Sequence, residues 1–456
     1  LSRPGPDAAE PLIDHALGLR WADLPEVTRA AARTFLHDSL CVGAAGARAV
    51  HANEVLAIAR SWGAGDQASV LGRADLRLPA ASAAFVNAFQ IHGQEYDCVH
   101  EPAVLHPMAT VAAAVLAEAQ RGAAVSGEQL LRAIVAGVDI AVTLGLAARG
   151  PLTFFRPATA GIFGSVAAIA ALRTMPRDQA LDAFGHALAF ASGTMQAHVE
   201  GKPALPVQVA NAARGALVAI DLARAGMPGV AGPVEGPFGY LTLLETTSDL
   251  AAALARLGQG HRIEEVSWKP FPTGRAAQGG IVAIQELLAQ GVLVADIVAL
   301  EYHAPPLIHR LVGRPARARM EPGYARLCLA WLAAVTLMRG TVALDDFQPG
   351  PLADPALHKL AARVSVIADA NPDPAAFVPA RLVARLADGR TIDIAVDALF
   401  GAPNRPLTPA QHRAKARGCL AFAGLDQCDD ALAAAIDGLN SERDAVAALV
   451  ATGIMA

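Results

Sequence analysis

The chain has 456 residues, 37 Lys+Arg against 42 Asp+Glu, and 54% hydrophobic against 17% charged residues. That balance excludes a disordered chain, and the length exceeds the roughly 100–200 residues of one domain, so two or three are expected. A net charge of −5 without Lys/Arg blocks argues against a nucleic-acid surface and points to small-molecule work.

Aromatics are only 5%, so Ala, Leu and Val must fill the interior, which favours close-packed helices. The five cysteines (Cys41, Cys98, Cys328, Cys419, Cys428) form no CxxC pair, and neither a disulfide framework nor a thiolate zinc site is expected. The opening LSRPGPDAAE lacks the apolar core of a secretory leader. The longest apolar stretches, 134–148 and 161–172, are short or broken by Asp139, and no membrane span is expected. A reducing cytoplasm is the expected compartment.

From residue 8 to 260 the pattern is helix after helix. LPEVTRAAARTFLHDSLCVGAAG repeats its apolar positions at three- and four-residue spacing and ends on glycine. The same spacing predicts helices over 78–94, 108–121, 126–146, 162–173, 177–193 and 209–225. Near 265 the character changes. WKPFPTGR is a Pro/Gly-broken loop, a helix follows over 276–290, and ADIVALEYHAP and RVSVIAD read as strands. RLVARLA and RTIDIAV flank Asp388-Gly389, a hairpin turn signal. The pattern is helical again from 408 to 455. The expected fold is mainly α: a large helical domain from 1–264 with 403–456, and a smaller inserted α+β lid domain over 265–402.

The densest polar cluster is QIHGQEYDCVHEPAVLHPMAT, which gathers His92, Glu95, Asp97, Cys98, His100, Glu101 and His106. Three uses compete for it. His and carboxylate are metal ligands, although no HExxH or second matching cluster appears. His106, fixed by Pro107 at a helix start, suits a general base. The plain alternative is a helix end whose polar groups cap and solvate the turn. A second group consists of cations in rigid loops: Arg156 in FFRPATAG, Lys202 in HVEGKPALPVQ, and Lys269 and Arg275 in KPFPTGR. Arg156 pairs with a carboxylate substrate or with the core; three such loops together suggest an anionic substrate. His198 and Glu200 read as support or surface, and His303, His309, Arg310 and Arg314 as a solvated basic edge. No GxGxxG after a strand, Walker motif or GxSxG is present, so dinucleotide, nucleotide and α/β-hydrolase readings fall away.

These motifs, in this order, resemble the MmgE/PrpD family, whose activities include 2-methylcitrate dehydration, cis-aconitate decarboxylation and iminodisuccinate epimerisation. The likeness rests on FLHDSLCVGAAG, the His-plus-acid stretch ending in His106-Pro107, GIFGSVAAIAALRTM, the lysine loop at Lys202, and WKPFPTGR at Lys269. It implies a helical domain with an α+β lid, a homodimer, no required cofactor or metal, and chemistry beside a carboxylate of a di- or tricarboxylate. His106 and Lys269 carry over, and Lys202 does so with altered spacing. Three positions depart from the dehydratase and decarboxylase pattern: Glu95-Tyr96-Asp97-Cys98-Val99 stands for DxDDT, Arg156 for a histidine and Trp331 for a tyrosine. The departures favour the epimerase branch. The expected roles are therefore His106 and Lys202 as acid/base groups on two faces, with the Lys202 pKa lowered by neighbouring cations. Glu95 or Asp97 orients His106, while Arg156, Lys269, Arg275 and His100 hold the substrate. A lyase with His100 or Tyr96 as substitute acid, and a catalytically silent scaffold, are the rivals.

Overall fold

In the computed structural model, residues 7–456 are described. The predicted helices form, with shifted ends: Glu26–Gly46, Ala80–Gly93, Pro107–Gln120, Gly127–Ala147, Gly161–Arg173, Arg177–Ala187 and Ala204–Arg224. The helix predicted over 177–193 stops at Ala187 and tightens into a single 3-10 turn, Leu188–Phe190. The one predicted from 209 starts earlier, at Ala204. Pro206 therefore lies in its first turn, where a missing N–H breaks no intrahelical bond.

Small residues set the packing distances. Helices Gly127–Ala147 and Gly161–Arg173 cross at Gly137 and Gly164, where a Cβ on Gly164 would lie 2.4 Å from the Gly137 carbonyl oxygen. The longer of these begins with a capping box: Ser126 Oγ accepts from the Gln129 N–H at 3.2 Å, and Gln129 Oε1 accepts from the Ser126 N–H at 2.8 Å. One sequence reading needs correcting here: Asp139 does not make this apolar stretch too short, since the 21 residues of the helix are long and apolar enough to cross a membrane by composition. Its apolar window is 89% buried by the other helices, and Asp139 is satisfied within the protein. It is the core helix of the fold.

The smaller half holds the main sheet. Strands β1 (Ala68–Ser69) and β2 (Arg77–Leu78) form a minimal hairpin in the helical part. Strands β3 (Ile297–Ala304), β4 (Val364–Ala368), β5 (Ala380–Leu386) and β6 (Thr391–Val396) form a four-stranded sheet in the order β4-β3-β5-β6. β3 runs parallel to β4 and antiparallel to β5, and β5 turns into β6 through Asp388-Gly389 as predicted. Gly389 takes φ +88° there, a conformation that its missing Cβ permits. Helices Gln278–Ala289 and Leu329–Arg339 pack against each other beside the sheet, and Trp331 is fully buried against Phe347.

The chain then returns to its beginning. Helix Pro409–Ala423 packs on Glu26–Gly46, where buried Lys415 donates to Asp38 at 2.7 Å. Gly72 donates its N–H to the Ile454 carbonyl.

Candidate active site

The segment 94–106 joins two buried helices, Ala80–Gly93 and Pro107–Gln120, and its backbone is bent at two unfavourable positions. Glu95 (φ +50°) and Val104 (φ +49°) both occupy the left-handed region, which residues with a Cβ disfavour and a β-branched valine most of all. Each costs on the order of 1–3 kcal/mol, a strain that concentrates where side chains must be aimed. Paired hydrogen bonds between His100 and Leu105 close the loop, and Val99 pairs with Ser267. That second pairing brings the segment after 267 alongside, where Pro270 and Pro272 limit the backbone and Lys269 points inward.

The result is a compact cluster. Asp97, fully buried, receives the Nδ1 of two histidines on one oxygen: His92 at 3.0 Å and His106 at 3.2 Å. The rings stand edge to face with centroids 4.9 Å apart. Lys269, also fully buried, donates to Glu95 at 2.8 Å and lies 3.6 Å from the other oxygen of Asp97. Burial opposes ionisation of Asp97, but His106, His92 and Lys269 outweigh it and hold its carboxyl well below the usual range. Glu95 behaves alike: Lys269 and the two histidines overcome burial and lower it to about 2. An ionised Asp97 can only accept, so both Nδ1 atoms carry their protons and His106 keeps its Nε2 lone pair. Burial and the Lys269 charge lower the His106 pKa against the opposing pull of Asp97, leaving it neutral near pH 7. For His92, Asp97 and Glu95 outweigh burial and raise it.

Two cavities meet at Glu95 and Leu327, which line both. The inner cavity, about 50 Å³, contains His106, His198 and Arg275 among apolar walls. Arg275 donates its Nε to Glu101 at 2.6 Å and its Nη1 to Gln278 and the Phe400 carbonyl, whereas its buried Nη2 has no partner. The outer cavity, about 60 Å³, is lined by His92, Arg48, His51, Lys202, Glu321 and Arg326 together with apolar residues. A neutral imidazole and a guanidinium lining one cavity suit a carboxylate and a proton moved on the carbon beside it.

Comparison with known proteins places the chain in a family. A family model of the MmgE/PrpD N-terminal domain matches residues 10–253, and one of the MmgE/PrpD C-terminal domain matches 271–437. The chain belongs to the MmgE/PrpD family. It is 26% identical over 442 residues to a cis-aconitate decarboxylase-like protein, oryM, of Aspergillus oryzae, with 91% of each chain covered. It is 24% identical over 418 residues to the cis-aconitate decarboxylase of Mus musculus (88% of this chain, 84% of the relative). It is 25% identical over 355 residues to that of Homo sapiens (75% and 72%).

Of the eight residues singled out in this MmgE/PrpD sequence, Glu95, Asp97, His106, Lys269 and Arg275 come together around the inner cavity. The other three do not join them. Arg156 is buried in a bidentate pair with Glu245 at 3.0 and 3.1 Å, which Tyr240 also supports. It lines neither cavity and is the core salt bridge that the sequence left open. His100 is engaged by Glu265 at 2.9 Å and by the Ala103 N–H at 3.2 Å, so it braces the loop. Lys202 is half exposed at the mouth of the outer cavity and pairs with Glu321 at 2.9 Å. That carboxylate raises the Lys202 pKa, opposite to the expected lowering, and no acid/base pair with His106 across one cavity is formed.

Further residues emerge that sequence reasoning gave no role. His92 was visible in the polar cluster but not as the second partner of Asp97. Arg326 is buried with Nη1 on the Gln94 and Pro272 carbonyls and its guanidinium 3.8 Å above the Phe347 ring; burial lowers its pKa to about 9. Nothing around GYARLC marks it in the sequence. Arg314 is not part of a solvated basic edge: it turns inward and donates to the His198 carbonyl at 2.8 Å. Burial and Arg314 push the His198 pKa down to about 3, keeping that ring neutral.

His92, Asp97 and His106 also satisfy the geometry of a three-ligand metal set, with ligand atoms within 4.8 Å of one another. The donor chemistry fits a cation less well. Both Nδ1 atoms already donate to Asp97, and the Lys269 ammonium supplies the positive charge that a metal would bring.

Proposed function

We propose that this MmgE/PrpD chain is a lyase acting at the carbon beside a carboxylate of a small organic acid, with His106 transferring the proton. The observation that carries this reading is the inner cavity, where His106, oriented through Nδ1 by Asp97, and Arg275 line one space. Arg275 holds a carboxylate; His106 Nε2 takes the proton from the adjacent carbon; the guanidinium N–H stabilises the enolate-like charge as it forms. Expulsion of a hydroxyl from the next carbon, with a proton, completes a dehydration. In a decarboxylation the bond to CO2 breaks first, and its electron pair takes a proton from the His106 imidazolium. Lys269 keeps Glu95 and Asp97 ionised throughout.

The names of the curated relatives support a lyase over an epimerase. Epimerisation remains the second reading because His106 is neutral, as proton abstraction requires. It lacks the second acid/base group expected at Lys202. In either reading residues 265–402 serve as an α+β lid on a helical body, no cofactor takes part, the enzyme is a cytoplasmic homodimer, and neither nucleic acid nor membrane is a partner.

Proton NMR in D2O with cis-aconitate, 2-methylcitrate and iminodisuccinate separates these readings. A new vinyl signal or CO2 release is expected. Deuterium entering the α-carbon of an otherwise unchanged acid replaces the lyase with an epimerase, and inertness of all three acids counts against both.

A further inference from the structure

Resting on the reading of His106 and Asp97 as the proton-transfer pair, we infer that Lys415 and His412 are positioning residues, which hold the two loops of the active site from behind through one helix. Both belong to helix Pro409–Ala423, a turn apart and therefore on one face. Neither lines the cavity of His106, so each acts through another residue. Lys415 is buried, and its Nζ donates to the Tyr96 carbonyl at 2.9 Å and to Asp38 at 2.7 Å. It also stands 4.3 Å from the centre of the Tyr96 ring. The Tyr96 carbonyl belongs to the peptide that leads into Asp97, so the ammonium that pins it also fixes the carboxylate on which His92 and His106 rest. A salt bridge between two packed helices needs only Asp38; the further bond, to a loop strained at Glu95, serves the site. The Tyr96 hydroxyl donates in turn to the Pro270 carbonyl at 3.2 Å, which ties this loop to the one that carries Lys269.

His412 holds that second loop. One residue before Lys269, the Trp268 indole Nε1–H donates to His412 Nδ1 at 3.2 Å. An indole only donates, so His412 Nδ1 carries no proton and Nε2 does. That proton goes to His37 Nδ1, 2.8 Å away, and the remaining N–H of His37 faces Cys41 Sγ at 3.7 Å. Each link has one donor and one acceptor only while both rings are neutral. Burial, Lys415 and Arg413 lower the His412 pKa against the pull of Asp38, and burial, His412 and Arg413 push His37 down to about 3. The Trp268 ring also packs on Phe35 with centroids 4.9 Å apart, and its backbone N–H donates to the Gly401 carbonyl. The residue before Lys269 is thus held by its backbone, by its ring face and, through the indole N–H, by His412.

The test combines amide hydrogen exchange with steady-state kinetics on the full chain, with cis-aconitate as substrate. Lys415→Met is expected to speed exchange over 94–106 by about tenfold or more while the core helix Gly127–Ala147 is unchanged. It is also expected to lower kcat by about tenfold or more with KM within about threefold. Lys415→Arg, which keeps the charge and the donors, regains most of both. In the second loop, His412→Phe speeds exchange over 267–275 by about tenfold or more, and His412→Asn, whose side-chain oxygen takes the place of Nδ1, restores it. Unaltered exchange in both loops, faster exchange spread equally into the core helix, or loosened loops with an unchanged kcat overturns the inference. If the unaltered chain turns over no acid, the lyase reading falls, and exchange alone decides whether the two residues hold the loops. Should Lys415→Met strand the Asp38 charge and fail to fold, the double variant Asp38→Asn, Lys415→Met and the His412 pair decide.

Discussion

Among the described residues are two His–Asp–His clusters, and the contrast between them shows what separates a candidate site from a brace. Asp139 of the core helix accepts from His15 at 3.0 Å and His261 at 2.8 Å on one oxygen, and from the Arg262 N–H at 2.7 Å on the other. Every polar group of that carboxylate is used, and the three residues tie the first helix, the core helix and the 261 loop together. Asp97 also accepts two imidazoles on one oxygen, but its second oxygen has no hydrogen-bond partner, and neither has the buried Nε2 of His92. Both histidines of the Asp97 cluster line cavities. The same residue types therefore hold the fold together in one place and leave chemistry available in the other.

The largest expected effect separates the clusters directly. His106→Ala lowers turnover by about 10²-fold or more with an unchanged circular-dichroism spectrum, whereas His261→Ala leaves turnover within about twofold and lowers the melting temperature. Equal loss of activity from the two variants would erase the distinction. Next in size, Asp97→Asn replaces an acceptor with an amide that cannot take both Nδ1–H groups, and kcat falls by about tenfold or more. Asp139→Asn instead destabilises the fold by about 1–3 kcal/mol, measurable by urea denaturation.

The pH responses also diverge. With its pKa lowered, His106 acting as base gives a rate that rises with pH through a value below 6.5 and is level above it. A falling limb over that range would mean that the imidazolium is the active form, as decarboxylation requires. For His261, hydrogen bonding and the charge of Asp139 overcome burial and raise the pKa. Its stabilising contribution is complete below the unfolded value of about 6.5 and is lost as pH rises through the raised folded value. His37 and His198, depressed to about 3 chiefly by burial, act in the opposite sense. Between about 6.5 and 3 the unfolded chain takes up protons that the folded chain refuses, so stability falls as the solution is acidified. The smallest effect belongs to Lys202→Ala: KM is expected to rise about three- to tenfold with kcat within threefold, because the side chain sits at the mouth of the outer cavity. A 10²-fold drop in kcat would return Lys202 to an acid/base role.

Much of the architecture is legible in the sequence because it is written in local periodicity. The 3.6-residue spacing marks the helices, alternation marks β5 and β6, and Asp388-Gly389 marks their turn. Asp139 affects only the judgement of apolar length: the helix over 126–146 reads through it, but a single carboxylate counts as breaking the apolar run. The site divides in the same way. Glu95, Asp97 and His106 are close in sequence, so their cluster shows at once, and the family resemblance adds Lys269. Arg156 and Lys202 looked equally suited as cationic loop residues, yet one meets Glu245 and the other Glu321, acids distant in the chain.

By itself, then, the sequence determined the mainly helical fold, the family, and the His-plus-acid segment, because each depends on residue order and short-range spacing. Only the tertiary structure decided which charges are spent on one another. That depends on which distant segments meet in low dielectric, where a partner 3 Å away turns Arg156 into a brace while His106 and Arg275 come to line one cavity.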